Sequence, residues 1–111
     1  MNRNEIIGGR IKTLRESFGL NQAQTAKFLG IDQSYISKCE KGERQFSMDL
    51  LEKLCDLFGC RINDLLTEGK EISTLHFSFR ANAIKEEDLI AIAEINRIAL
   101  NIREMKALLE K

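Results

Sequence analysis

The sequence predicts an all-α chain. A bundle of five short helices is expected in residues 1–68, and residues 69–111 are expected to hold a linker, a short strand and a long terminal helix. Three observations carry this. Apolar residues recur every three or four positions through most of the chain. Asn, Asp, Ser or Gly stands at the ends of the short periodic stretches, where helices start and stop. Proline is absent, and Leu, Ile, Ala, Glu, Lys and Arg are abundant, a composition that favours helix.

The first helix is expected over about Asn4 to Phe18, where Ile7, Ile11, Leu14 and Phe18 form one apolar stripe. Gly8 and Gly9 lie inside it and each costs about 1 kcal/mol relative to alanine, so this helix depends on tertiary packing. Gly19 is placed as its stop. Asn21 is positioned to cap a second helix, Gln22 to Leu29, which Gly30 ends. Asp32 is positioned to cap a third, about Gln33 to Lys41, ending at Gly42. Ser47 is positioned to cap a fourth, Met48 to Phe58, with Asp49 and Glu52 near its positive end and Gly59 after it. A short fifth helix, Ile62 to Leu66, closes the bundle.

Composition then changes. Glu68 to Ser73, "EGKEIS", reads as a linker. In "STLHFSFR", Ser73 to Arg80, Leu75, Phe77 and Phe79 alternate with polar residues, the period of a strand. A lone strand leaves its backbone groups unpaired, which points to a second copy of the chain. The last helix is expected over about 86–110, with Glu86, Glu87 and Asp88 at its N-terminus. Ala91, Ile95, Ile98, Ile102, Met105 and Leu109 follow a four-three-four-three-four spacing, a heptad seam. Leu89, Ile92 and Ala99 widen it. A helix of this length exceeds what the bundle can cover, so the favoured expectation is pairing with a symmetry mate. The alternative is that the helix folds back on its own bundle.

With 111 residues the chain is one domain, or a small domain with an appendage. Its formal net charge of zero is weak evidence against bulk electrostatic binding to nucleic acid, although a local basic face suffices for phosphate contacts. No apolar run approaches the roughly 20 residues of a membrane span, and "MNRNEIIGGR" lacks a signal peptide's apolar stretch. A cytoplasmic protein is expected. Cys39, Cys55 and Cys60 show no disulfide or metal-site spacing; the favoured reading is buried free thiols. No carboxylate pair, phosphate loop or nucleophile–base pair stands out, so neither an enzyme nor a cofactor is expected.

The stretch "RIKTLRESFGLNQAQTAKFLGIDQSYISKCEKGERQFSMDLLEKLCDLFGCRINDLL" resembles the phage-repressor-like (Cro and cI-like, XRE) helix-turn-helix regulators of bacteria. Four features carry the resemblance in order and spacing: the "LxQ" entry at Leu20 to Gln22, Ala26, "LGI" at Leu29 to Ile31, and "ISKCEKG" from Ile36 to Gly42. It implies a third helix that enters the DNA major groove. By position, Gln33, Ser34 and Lys38 are expected at base edges, with Tyr35 and Ser37 beside them, and Asn21, Gln22, Lys41 and Arg44 at phosphates. The competing reading is that Gln33, Ser34 and Tyr35 form only a solvated helix start. Arg10 and Lys27 are weaker phosphate candidates. Arg15 and Glu40 correspond to a structural ion pair joining the first and third helices. Two departures stand out: Phe46 replaces a common proline, and Thr25 replaces a leucine that would fill the core.

The resemblance implies a sequence-specific transcriptional regulator, in most such proteins a repressor, binding an inverted repeat of double-stranded DNA as a homodimer. Leu75, Phe77, Phe79, Ile95, Ile98, Ile102, Met105 and Leu109 are the expected dimerisation residues. The alternative is an antitoxin or interaction module whose terminal helix holds a protein partner.

Overall fold

The structure is a computed structural model and describes residues 2–66 and 86–110. Among these, six helices are present: α1 (Arg3–Ser17), α2 (Gln22–Leu29), α3 (Gln33–Glu40), α4 (Met48–Phe58), α5 (Ile62–Leu66) and α6 (Glu86–Leu109). The expected strand, with Leu75, Phe77 and Phe79, lies outside the described residues.

The helix boundaries follow from local chemistry. At α1, Asn2 accepts from the Glu5 backbone N–H at 2.8 Å while the Glu5 side chain reaches back to the Asn2 N–H, a reciprocal cap. The same device starts α2, where Asn21 and Gln24 exchange bonds of 2.7 and 2.9 Å. Ser47 accepts from Leu50 N–H at the start of α4. Asp32 occupies the capping position of α3 in extended backbone but makes no capping bond with its side chain, contrary to expectation. Gly30 and Gly59 end α2 and α4 at φ of 73° and 69°, the left-handed region that side chains with a Cβ avoid.

The core joins Ile11 and Leu14 of α1, Ala26 and Leu29 of α2, Ile36 and Cys39 of α3, Leu51, Leu54, Leu57 and Phe58 of α4, and Leu65 of α5. Phe18 tilts against Phe58 with ring centroids 5.3 Å apart. Phe46 is buried. It pins the loop before α4 by packing, where the resembling family uses proline's rigidity. Thr25 is also fully buried, and its hydroxyl donates to the Asn21 carbonyl at 3.0 Å. That bond within the helix turn satisfies the polar group and explains how threonine occupies a leucine position.

Two features lock α1 to α3. A Cβ on Gly8 would run into the Cys39 carbonyl and lie 2.6 Å from the Glu40 carbonyl oxygen, so the close approach of α1 to the end of α3 requires glycine there. Beside it, Arg15 Nε donates to Glu40 Oε2 at 2.8 Å and Nη2 to Oε1 at 3.1 Å. The two side chains retain only 7% and 2% of their exposure. Arg15 Nη1 also donates to the Leu20 carbonyl at 2.7 Å, and Gln22 Nε2 donates to Glu40 Oε1 at 3.0 Å. The carboxylate is therefore held by α1 and α2 together. Arg10, a weak phosphate candidate by sequence, donates instead to the Asp64 and Leu65 carbonyls at 3.1 Å. It ties α1 to α5.

Of the two expectations for the last helix, fold-back holds for the first half of α6, which lies on α4 and α2. Leu89, Ala93, Asn96 and Leu100 are buried against the bundle. Asn96 is wholly buried and donates to the Leu57 carbonyl at 3.1 Å. This face was hidden in the sequence because its centre is an asparagine. The heptad seam lies on the opposite side of the same helix. Ile95, Ile98, Ile102 and Met105 are 54–62% exposed and Leu109 is 83% exposed. Residues 101–110 are all exposed; Glu104 still reaches Arg61 of the bundle, and beyond it the helix projects about 8 Å.

The α1–α3 junction gives its two glycines opposite expectations. Gly8→Ala should lower stability by about 1–3 kcal/mol, the range for overpacking. Gly9→Ala should raise it by about 0.5–1 kcal/mol, because nothing among the described residues lies within 4 Å of a Cβ there; urea unfolding of both variants compares the signs. Arg15→Met should cost about 3–5 kcal/mol by stranding the Glu40 carboxylate, while Arg15→Met combined with Glu40→Leu should recover most of that loss. Unfolding midpoints at pH 7 test this, and a double variant as unstable as the single one would contradict it.

Candidate nucleic-acid interface

Helix α3 is set by what it buries. Ile36 and Cys39 are fully enclosed and Glu40 is held by Arg15 and Gln22, which fixes the helix rotation about its axis. Ala26 of α2 is buried where α2 meets α3, and its small side chain keeps the two helices close. The opposite face of α3 is then obligatorily outward. Gln33, Ser34 and Lys38 are exposed, and Ser37 is half-buried. These positions bring amide, hydroxyl and ammonium groups to one face.

Tyr35 departs from that group. It is half-buried, packs against the core, and hydrogen-bonds to Cys39 one turn on. Burial pushes the Cys39 thiol above its ordinary pKa, and the Tyr35 hydrogen bond and Arg44 partly oppose this. Cys39 is thus a packing thiol at the base of the helix. Cys55 and Cys60 are buried too, all three being free. Their mutual hydrogen bond, with burial adding to it, drives the Cys55 thiol far above the usual thiol range. No cluster of three or more His, Cys, Asp or Glu suited to a metal ion occurs among the described residues; His76 lies outside them.

The flanks of α3 carry the sequence-predicted phosphate residues. Lys41 and Arg44 are exposed just beyond its C-terminus. At the start of α2, Asn21 is exposed and Gln22 half-buried. Both are partly committed: the Asn21 side-chain oxygen caps α2, and the Gln22 amide nitrogen braces Glu40. The resemblance implies that Gln22 braces the third helix as well as contacting a phosphate; the crossing of α2 and α3 makes Glu40 its partner. No helix among the described residues is long and apolar enough to cross a membrane.

Comparison with known proteins agrees with this geometry. The chain is 25% identical over 95 residues to the antitoxin PezA of Streptococcus pneumoniae, a match covering 83% of the chain and 60% of the antitoxin. It is 43% identical over 49 residues to putative HTH-type transcriptional regulatory proteins of Saccharolobus islandicus and Saccharolobus solfataricus, covering 44% of the chain. The chain thus spans 60% of the antitoxin's length and 16% of the length of these regulators. No solved structure gave a significant match. Residues 11–65 match the Helix-turn-helix family, the segment that holds Ile11, the α2–α3 crossing and the outward face of α3, and by this segment the chain belongs to the XRE-type helix-turn-helix proteins.

Proposed function

We propose that the chain is a sequence-specific DNA-binding transcriptional regulator that represses by occupying an inverted-repeat operator as a homodimer. The observation that carries this reading is the outward face of α3, polar and exposed at Gln33, Ser34 and Lys38 and fixed from behind by Ile36, Cys39 and Glu40. A helix held at a set rotation presents the same side chains to every duplex it meets, which base readout requires. Gln33 suits the paired donor and acceptor of adenine, Lys38 the O6 and N7 acceptors of guanine, and Ser34 either type of base. Ser37 and Tyr35 flank them, with Tyr35 turned toward the body of the domain. Lys41 and Arg44 supply charge for the phosphate backbone, and the amides of Gln22 and Asn21 add neutral donors at the start of α2. The activity is binding; no reaction is assigned to the chain. Its overall neutrality is compatible with this because the basic groups Lys38, Lys41 and Arg44 are gathered at one end of α3.

A second reading is favoured by two observations. The antitoxin PezA matches over most of the chain, and α6 exposes an apolar seam from Ile95 to Leu109. An antitoxin would use that seam to hold a protein partner and still bind DNA through α3.

Selection from a random duplex library tests the leading reading. It should enrich an inverted repeat with half-sites about 34 Å apart, near 10 base pairs. Gln33→Ala should relax one position in each half and weaken binding by about 1–3 kcal/mol. Lys41→Ala should weaken all sequences alike and reduce the salt slope by about 1. The parent slope should be near −5 to −9 for about 6–10 phosphate contacts. Enrichment of no sequence would leave α3 a scaffold and favour the protein-partner reading.

A further inference from the structure

We infer that the exposed seam of α6 pairs with the same seam of a second copy in antiparallel orientation, centred between Ile98 and Ile102. This deepens the homodimer reading above and rests on it. The seam is symmetric about that centre. Laid antiparallel, Ala91 falls opposite Leu109, Ile95 opposite Met105 and Ile98 opposite Ile102, so every seam residue meets another. In heptad terms each layer joins an a position to a d position of the partner, the layering of an antiparallel pair. At the centre, Ala99 and Asn101 flank the two-fold axis. Alanine permits close approach there, and two symmetry-related asparagines can bond to each other across the axis.

Charge favours the same orientation. Over residues 86–98, four acidic residues stand against one arginine; over 102–111, three basic residues stand against two acidic ones. One of those acids, Glu104, already faces Arg61 of its own bundle at 3.3 Å. Antiparallel pairing sets the acidic half on the basic half and opposes the helix dipoles, whereas parallel pairing stacks like on like. The bundle does not obstruct the seam, because α6 docks through Leu89, Ala93, Asn96 and Leu100 on its other side.

The test uses the full chain with Ala91→Cys or Leu109→Cys, both at exposed positions, and a short thiol-to-thiol crosslinker. The wild type, whose cysteines are all buried, is the control. The two variants, differently tagged, mixed and allowed to exchange, should crosslink to each other, while Leu109→Cys alone gives no product. In the antiparallel pair two copies of position 109 lie about 27 Å apart along the axis. Sedimentation should show a dimer that Ile98→Glu converts to monomer. Crosslinking of Leu109→Cys to itself would overturn the orientation and leave the homodimer standing. A dimer that survives Ile98→Glu would overturn the seam as the interface. A monomeric wild type would overturn this inference and the homodimer reading together.

Discussion

The buried pair of Arg15 and Glu40 is the constraint on which the arrangement of the first three helices depends. A carboxylate with almost no solvent contact is tolerable only if its lone pairs are filled, and three donors from two helices fill them: Arg15 Nε, Arg15 Nη2 and Gln22 Nε2. The remaining Arg15 nitrogen reaches the Leu20 carbonyl in the turn between α1 and α2. Each bond is directional, so any rotation of α3 about its axis breaks at least one. An apolar contact of equal area would stabilise α3 without setting its rotation. For a helix whose outer face consists of particular side chains, rotation is the quantity that must be fixed.

Gly8 makes that geometry reachable. With no Cβ, α1 approaches the carbonyls at the end of α3 closely enough for a side chain one to two turns on, Arg15, to lie along Glu40. A Cβ on Gly9, next in sequence, would meet nothing among the described residues. The two glycines look alike in the sequence, each a weak point in a helix. Only the fold separates the one that is required from the one that is merely tolerated.

The bundle was legible because local chemistry and periodicity agree along it. Asn21 and Ser47 start their helices through their side chains, and Gly30 and Gly59 end them through backbone freedom. Where reading failed, the cause was an interaction that no local pattern contains. Arg10 read as a weak phosphate candidate, but its partners are the carbonyls of α5, more than fifty residues away. Tyr35 sits on the reading helix by number, yet its position relative to Ile36 and Cys39 turns it inward. Asn96 concealed the docking face of α6, since a polar residue at the centre of an apolar stripe breaks the pattern used to find it. Its Nδ2 is matched by the Leu57 carbonyl, while its Oδ1 has no hydrogen-bond partner among the described residues.

A helix with two apolar faces connects association to recognition. One face of α6 rests on α2 and α4, and α2 in turn packs on α3. Each contact along that route is a packed or hydrogen-bonded one, so a second copy seated on the outer face would be placed at a fixed angle to both reading helices. Operator selectivity by such a dimer has two separable sources. The side chains of α3 choose the bases within a half-site, and the α6 pairing chooses the distance between half-sites. A substitution on the seam should therefore change spacing preference or dimer strength without changing the half-site sequence, and a substitution at Gln33 should do the reverse. The two effects would be additive in free energy, because the seam and the reading face share no partner.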